Sequence, residues 1–317
     1  MVKTKFGVSA SLHPEKIPAP EEILNFAVQA ENCGYDSLWM GDHVAFHGHY
    51  TDSLTTLAAF AVKTSKITIG TAVFLVPLRR PAISAKIAAT VDFLSGGNRF
   101  IFGIGIGGEG QKEFELCGVP VAERSKRTDE SIEIIKKLWT GENVQHKGKF
   151  WNFSSVRQTP APLTKGGPPI WVGGRSDAAR KRAVTKGNGY ISYLYSSEKF
   201  KDGLQQMHNY ANKIGTTLQI DEGLWTPAHH AFIYSHKDEK RALTSGIKNL
   251  SRRYNMDFNG IAEKYLIFGP PEKCVEEIEN FKNAGAKHFV FKHAGPPEEE
   301  LDQLALLSEE VIARTRD

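Results

Sequence analysis

A strand-then-helix alternation runs through the first half of the chain, and no other feature restricts the fold as much. Residues 5–11 (KFGVSAS) form a short apolar run that ends in small polar side chains. Pro20-Glu21-Glu22 then opens an amphipathic helix that reaches Asn32, with proline and acids in the first turn as helix starts prefer. Gly34 ends it. Residues 35–40 read as a second strand, 54–63 as a helix, and 66–76 as a long β-branched third strand. A helix over 82–94, the turn Ser95-Gly96-Gly97-Asn98, a strand over 99–106 and a helix over 125–139 complete this half. Strand–helix units in direct succession require parallel strands joined by crossover helices.

The rhythm resumes with strands over 169–172, 189–192, 229–234 and 288–292. The helices between and after them cover 177–186, 198–214, 238–254, 271–284 and 297–313. Eight strands without a break between halves predict one α/β domain over 1–317, a (β/α)8 TIM barrel, rather than an open doubly wound sheet. Two stretches depart from the alternation, 141–168 and 252–268, and read as loop insertions that shape a substrate pocket. No fixed-period repeat is present.

Composition excludes several classes. With 40% hydrophobic and 24% charged residues the chain is not a disordered one. A net charge of +4 without a run of like charges gives no nucleic-acid footprint, and Lys136-Lys137 and Arg252-Arg253 sit in helical patterns as solvated faces. No apolar stretch approaches the ~18 residues of a membrane span, and the first residues lack a signal-peptide core. Cys33, Cys117 and Cys274 lie apart in apolar helical contexts, without metal-ligand spacing. A reduced, cytoplasmic protein without nucleic-acid or membrane partners is the expectation.

In a barrel, chemistry sits at the carboxyl ends of the strands and in the loops that follow. That rule selects Ser9, Ala10 and Ser11; Gly41, Asp42 and His43; Thr71, Ala72, Val73 and Phe74; and Gly105, Ile106, Gly107, Gly108 and Glu109. Gly173, Gly174, Arg175 and Ser176 follow the fifth strand, Tyr193 and Tyr195 the sixth, Thr226 and His229 flank the seventh, and His293 follows the last. Asp42-His43 joins a carboxylate to an imidazole able to trade a proton near neutral pH; the plainer alternative is a capping Asp beside a loop His. His13, His47 and His49 are loop histidines at the mouth. GIGIGGEG (103–110) carries GxGxxG spacing in the fourth unit, where close packing explains it better than a dinucleotide cradle. WVGGRSDAAR (171–180) joins a strand to a helix start through Gly-Gly, Arg175 and Ser176, an arrangement suited to a phosphate, against the alternative of an ordinary N-cap. Arg79-Arg80 offers either an anion grip or surface charge. GxSxG is absent, which speaks against a serine nucleophile.

Five runs in order, YDSLWMGDH (35–43), ITIGTAVFLVPLRRP (67–81), VDFLSGGNRFIFGIGIGG (91–108), ERSKRTDESIEIIKKLWTG (123–141) and PPIWVGGRSDAARKRA (168–183), with FGPPEKCVEEIENFKNAGAKHFVF (268–291) closing, resemble the bacterial luciferase-like flavin oxidoreductases. The resemblance implies a (β/α)8 barrel, often a homodimer, that binds a reduced flavin at the carboxyl end. It implies FMN supplied by a separate flavin reductase, with monooxygenation of a small organic substrate, as the first reading. The alternative is the deazaflavin coenzyme F420 and direct hydride transfer. It further implies that Thr71, Ala72 and Val73 form a bulge, often with a non-proline cis peptide, under the ring. Ser9, Ala10 and Gly105, Ile106, Gly107 and Gly108 would line the cofactor, and Gly173, Gly174, Arg175 and Ser176 would hold its phosphate. His43, Asp42 and Glu109 would be the catalytic groups; no metal is implied. A deazaflavin tail would need cations, for which Arg175 or Arg79-Arg80 are available. Two further readings stand beside these: a sugar-phosphate barrel lyase or isomerase, with Lys292 and Glu109 as its only acid–base candidates, and a ligand-binding relative without turnover.

Overall fold

Strands rich in Val, Ile, Phe and Trp and buried on both faces need helices on one side and their own neighbours on the other, and the computed structural model meets that demand with a closed ring. It describes residues 2–10, 18–108 and 110–316. In chain order the first half contains β1 (Lys5–Ala10), α1 (Pro20–Asn32), β2 (Ser37–Met40), α2 (Ser53–Lys63), β3 (Thr68–Thr71), β4 (Phe74–Leu75), α3 (Pro81–Leu94), β5 (Phe100–Gly105), α4 (Gln111–Leu116) and α5 (Arg124–Leu138). After these come β6 (Asn143–Lys147), β7 (Asn152–Arg157), β8 (Ile170–Gly173), α6 (Asp177–Lys186), β9 (Gly189–Tyr193), α7 (Ser197–Lys213) and β10 (Thr226–Ser235). The chain ends with α8 (Glu239–Tyr254), β11 (Leu266–Gly269), α9 (Pro271–Asn283), β12 (His288–His293) and α10 (Glu300–Leu306). Parallel pairing runs β1–β2–β3–β5–β8–β9–β10–β12 and back to β1, so eight strands close a (β/α)8 barrel.

Alternation along each strand divides its side chains between lumen and helices. Trp39, Trp171, Ile191, Ala228 and Val290 fill the lumen, the two indoles 5.2 Å apart. Trp39 lies so close to β3 that a Cβ on Gly70 would stand 2.5 Å from its ring, which is why a glycine occupies that position. Beside them the Ser37 hydroxyl bonds both His288 Nε2 and Trp39 Nε1 at 2.7 Å. Burial pushes His288 down to about 3, so this lumen histidine is neutral and serves packing. On the helix-facing side Leu38, Ile69, Phe102 and Phe289 are wholly buried.

Three elements differ from the sequence expectation. The third strand, read as continuous over 66–76, is interrupted: it stops at Thr71, passes a cis Ala72–Val73 peptide, the bulge that the family resemblance implied, and resumes as β4, which pairs β5. The stretch 141–168 contains an antiparallel hairpin, β6–β7, anchored on the Glu130 carboxylate of α5, which accepts the N–H groups of Lys149, Phe150 and Trp151 and bonds His146 at 3.2 Å. It leads from a helix into a strand and sends no residue into the cavity described below, so it does not shape the pocket as expected. The stretch 252–268 contributes Arg253 and Tyr254 to that cavity and ends in β11, which extends the sheet beside the upper half of β10. Among the described residues no helix is long and apolar enough to cross a membrane, and no cluster of metal-ligating side chains occurs.

Candidate active site

At the carboxyl ends of the strands lies a cavity of about 450 Å³. Its floor is the bulge between β3 and β4. The Val73 side chain is wedged between two strands: a Cβ on Gly105 would stand 2.5 Å from one of its methyls, and a Cβ on Gly173 2.8 Å from the other. Glycine at both positions is therefore what lets the bulge project into the cavity. Ala72 donates its N–H to Met40 O at 2.8 Å, which fixes the bulge to β2. Thr71, expected at the cofactor, lies elsewhere: it is wholly buried beneath the bulge and donates its hydroxyl to Gly103 O at 2.6 Å. Its part is to support the bulge and not to line the cavity.

His43 lies on the wall, half-buried. Its ring stacks on Phe46 at 3.9 Å and meets the edge of Tyr50 at 4.6 Å, and its Nδ1 bonds Glu113 Oε2 at 3.2 Å. The other Glu113 oxygen accepts the backbone N–H groups of Val44 and Ala45. Burial pushes the Glu113 carboxyl up, but the bonds from His43, Val44 and Ala45 outweigh it and hold the group below the ordinary carboxylate range. An ionised, buried carboxylate thus fixes the His43 loop and orients the imidazole, leaving Nε2 as the nitrogen available to a bound molecule. Glu113 was missed in the sequence because it stands on the short helix α4, far along the chain from His43. The acid chosen instead, Glu109, lies outside the described residues.

Asp42 borders the same cavity with its carboxylate already engaged. It accepts two bonds from Arg79, at 2.7 and 3.0 Å, one from Ser53 at 2.9 Å and one from the Leu75 N–H at 2.9 Å. Neutralised in this way, Asp42 acts as a brace between the β2–α2 loop and β4, and its carboxylate is not free for the catalytic role expected of it. Arg79 is correspondingly committed, with its guanidinium 4.4 Å over the Phe74 ring, and is not a free anion grip.

Gly173, Gly174, Arg175 and Ser176 make a second wall. Ser176 caps α6, accepting the Ala179 N–H at 3.2 Å, so the N-cap alternative holds; the same helix start opens on the cavity. Gly174 takes a φ of 144°, and its carbonyl is bound by the Tyr190 hydroxyl. The Arg175 carbonyl accepts bonds from Tyr195 at 3.1 Å and Arg180 at 3.0 Å, while the Arg175 side chain projects outward over the Tyr193 ring. Across from this loop are Gly107 and Gly108, with φ of 63° and 136°, and Arg124, whose guanidinium carbon would lie 3.4 Å from a Cβ on Gly108. Two cations and a helix N-terminus thus surround the opening.

Ser9, Ala10, Gly105 and Ile106 line the cavity as expected, and Tyr193 joins them. His229 does not: it faces the helices, stacked on Phe281 at 4.1 Å and bonded to Ser192 at 2.8 Å. Its neighbour His230 faces the cavity, with Lys292, Arg253 and Phe232. His293 bonds Pro296 O at 2.7 Å and lies outside the lining.

The sequence model of the luciferase-like monooxygenase family matches residues 1–288. The chain is 28% identical to the F420-dependent glucose-6-phosphate dehydrogenase of Microbacterium testaceum, over 99% of this chain and 98% of that one. An F420-dependent secondary alcohol dehydrogenase in complex with an F420–acetone adduct superposes with a TM-score of 0.84 at 22% identity, covering 99% and 100% of the two chains. The FMN-bound oxygenating constituent of 3,6-diketocamphane monooxygenase from Pseudomonas putida superposes with a TM-score of 0.79 at 18% identity, covering 99% of each chain. The barrel is common to both coenzyme types.

Proposed function

The chain belongs to the luciferase-like monooxygenase family and is an oxidoreductase, and from that premise we propose that it moves a hydride between coenzyme F420 and the carbinol or carbonyl carbon of its substrate. This reverses the order in which the sequence ranked the coenzymes. The F420 dependence of the glucose-6-phosphate dehydrogenase relative supports the deazaflavin reading over FMN oxygenation. The observation that carries the reading is His43, on the cavity wall and held through Nδ1 by a buried carboxylate, which leaves Nε2 without a partner among the described residues. Hydride removal from an alcohol requires a base for the hydroxyl proton, and reduction of a carbonyl requires the same group as an acid.

The residues present fit a deazaflavin. The Val73 bulge and the bare backbones of Gly105 and Gly173 offer a close seat for a flat ring. Arg124, Arg175 and the α6 start supply cations and amide donors for a phosphodiester and an acidic tail. When bound, that coenzyme supplies the carbon that accepts or gives the hydride. The protein does the rest. In the oxidative direction His43 Nε2 takes the hydroxyl proton, while the Glu113 carboxylate balances the charge that appears on the ring. Phe46, Leu75, Ile106 and Phe232 line the cavity with apolar surface and limit water at the reacting carbon.

Titrating the purified chain with F420 and, separately, with FMN tests this reading. Saturable F420 binding, with loss of the oxidised deazaflavin absorbance on adding an alcohol or sugar-phosphate substrate, is the expected result. FMN binding with none for F420 would overturn it.

A further inference from the structure

We propose that the wall where Lys292, Arg253 and His230 converge is a subsite for an oxyanion carried by the substrate, a phosphate monoester or a carboxylate. The proposal rests on reading the cavity as the place of hydride transfer, and it assigns the substrate's charge. Lys292 on β12 lies opposite Phe232 on β10, with His230 two residues earlier on the same lumen-facing side. Arg253, at the end of α8, places its guanidinium 5.8 Å from the Phe232 ring centre. All three line the cavity.

These basic groups lack the partners that their burial demands. Lys292 is 6% exposed, and its ammonium donates to a neutral acceptor, Ala10 O, at 2.8 Å. Neither Lys292 nor Arg253 forms an ion pair with a described carboxylate. Arg253 donates one bond, at 3.4 Å to the Tyr50 hydroxyl, and its Nε is buried without an acceptor. His230 Nδ1 is buried and equally unpaired. Burial, with the charges of Arg253 beside it and of Glu300 opposing, pulls Lys292 down to about 7. Burial likewise pulls His230 down to about 3, helped by Lys292, His229 and Arg253. Buried charges left without a counter-ion are costly, and a ligand oxyanion would supply the missing one.

The position also suits the chemistry. His47 bonds the Arg253 carbonyl at 2.6 Å, and Tyr50, which Arg253 touches, meets the His43 ring. The subsite is therefore braced to the loop that carries the proposed base. It is distinct from the cationic opening, since β8 and β12 are separated round the barrel by β9 and β10.

Calorimetric titration of the full chain with inorganic phosphate and, separately, with acetate tests the proposal. At least one of these anions should bind saturably, and the tighter one identifies the class. Lys292→Met and Arg253→Gln should each weaken that binding by about ten- to a hundredfold, the range set by hydrogen bonds to charged groups. Lys248→Ala, an exposed position of α8 outside the cavity, should keep it. Arg253 is half-buried, so Arg253→Gln carries the test if Lys292→Met fails to fold. Absence of saturable anion binding, or binding that neither variant weakens, overturns the proposal. A chain that binds F420 but neither anion defeats the subsite alone. Anion binding that depends on Lys292, in a chain that does not bind F420, supports the subsite and defeats the coenzyme reading.

Discussion

Gly105→Ala tests whether the floor of the cavity is built as described. The new methyl would stand 2.5 Å from Val73 Cγ2, more than 1 Å inside ordinary contact, and Gly173 blocks retreat because Val73 Cγ1 already rests 2.8 Å from where its Cβ would be. Val73 is β-branched and stiff at χ1, so it relieves the clash by moving toward the cavity. Overpacking of this kind costs about 1–3 kcal/mol, which for a chain of this size lowers Tm by several degrees. Because the displaced side chain is the floor itself, affinity for a bound flavin ring should fall about tenfold or more in the same variant. Val73→Ala removes both methyls, so the double variant Gly105→Ala/Val73→Ala should recover Tm relative to Gly105→Ala. Thermal unfolding and deazaflavin titration of the three variants measure this coupling. Wild-type Tm and affinity for Gly105→Ala, or strictly additive effects in the double variant, would refute the wedge.

His43→Ala should lower kcat by about 10²–10⁴ while leaving the Kd for deazaflavin nearly unchanged, measured by steady-state kinetics and fluorescence titration. Glu113→Gln should lower kcat through loss of His43 orientation. Its carboxyl is held below the ordinary range, so it stabilises the fold above that range and the contribution disappears on acidification; the variant's stability curve should accordingly be flatter on the acid side. Arg175→Ala should weaken F420 binding but not that of riboflavin, which lacks the phosphate; equal losses would reject the phosphate role. Lys292 is pulled from 10.5 to about 7, so the unfolded chain binds the extra proton between those values and stability rises with pH across that window. Denaturant midpoints of Lys292→Met should lack this rise, and the variant should be the more stable protein below pH 7.

What the sequence revealed and what it concealed follow from the range over which each constraint acts. Barrel strands and their helices are local: β-branched runs, Pro-led helix starts and glycine ends are read within a window of a dozen residues, and all eight strands of the ring are recovered. Residues at the carboxyl ends are legible for the same reason, because a strand's end fixes where its next residues go. Partnerships between loops are not legible. Asp42 and Arg79 were both visible, but only the fold brings the carboxylate and guanidinium to 2.7 Å and converts two candidates into one neutral brace. Glu113 was hidden because its partner lies 70 residues away and because α4 is too short to leave a periodic signal.

His229 and His230 show the remaining difficulty most clearly. Adjacent residues on a strand face opposite ways, so one belongs to the core and the other to the cavity, and composition cannot say which. The phase was nevertheless available from the neighbours. Pro227, His229, Ala231 and Ile233 form one row and Ala228, His230, Phe232 and Tyr234 the other, and pairing with β12 sets Phe232 against Lys292. The row that passes beside Lys292 is poorly suited to packing against apolar helices, and the other row takes that side, with His229 bonded to Ser192 at 2.8 Å. The row carrying His230 instead opens on the cavity with its Nδ1 unpaired, beside the Lys292 ammonium and the Arg253 guanidinium, a placement that packing does not explain.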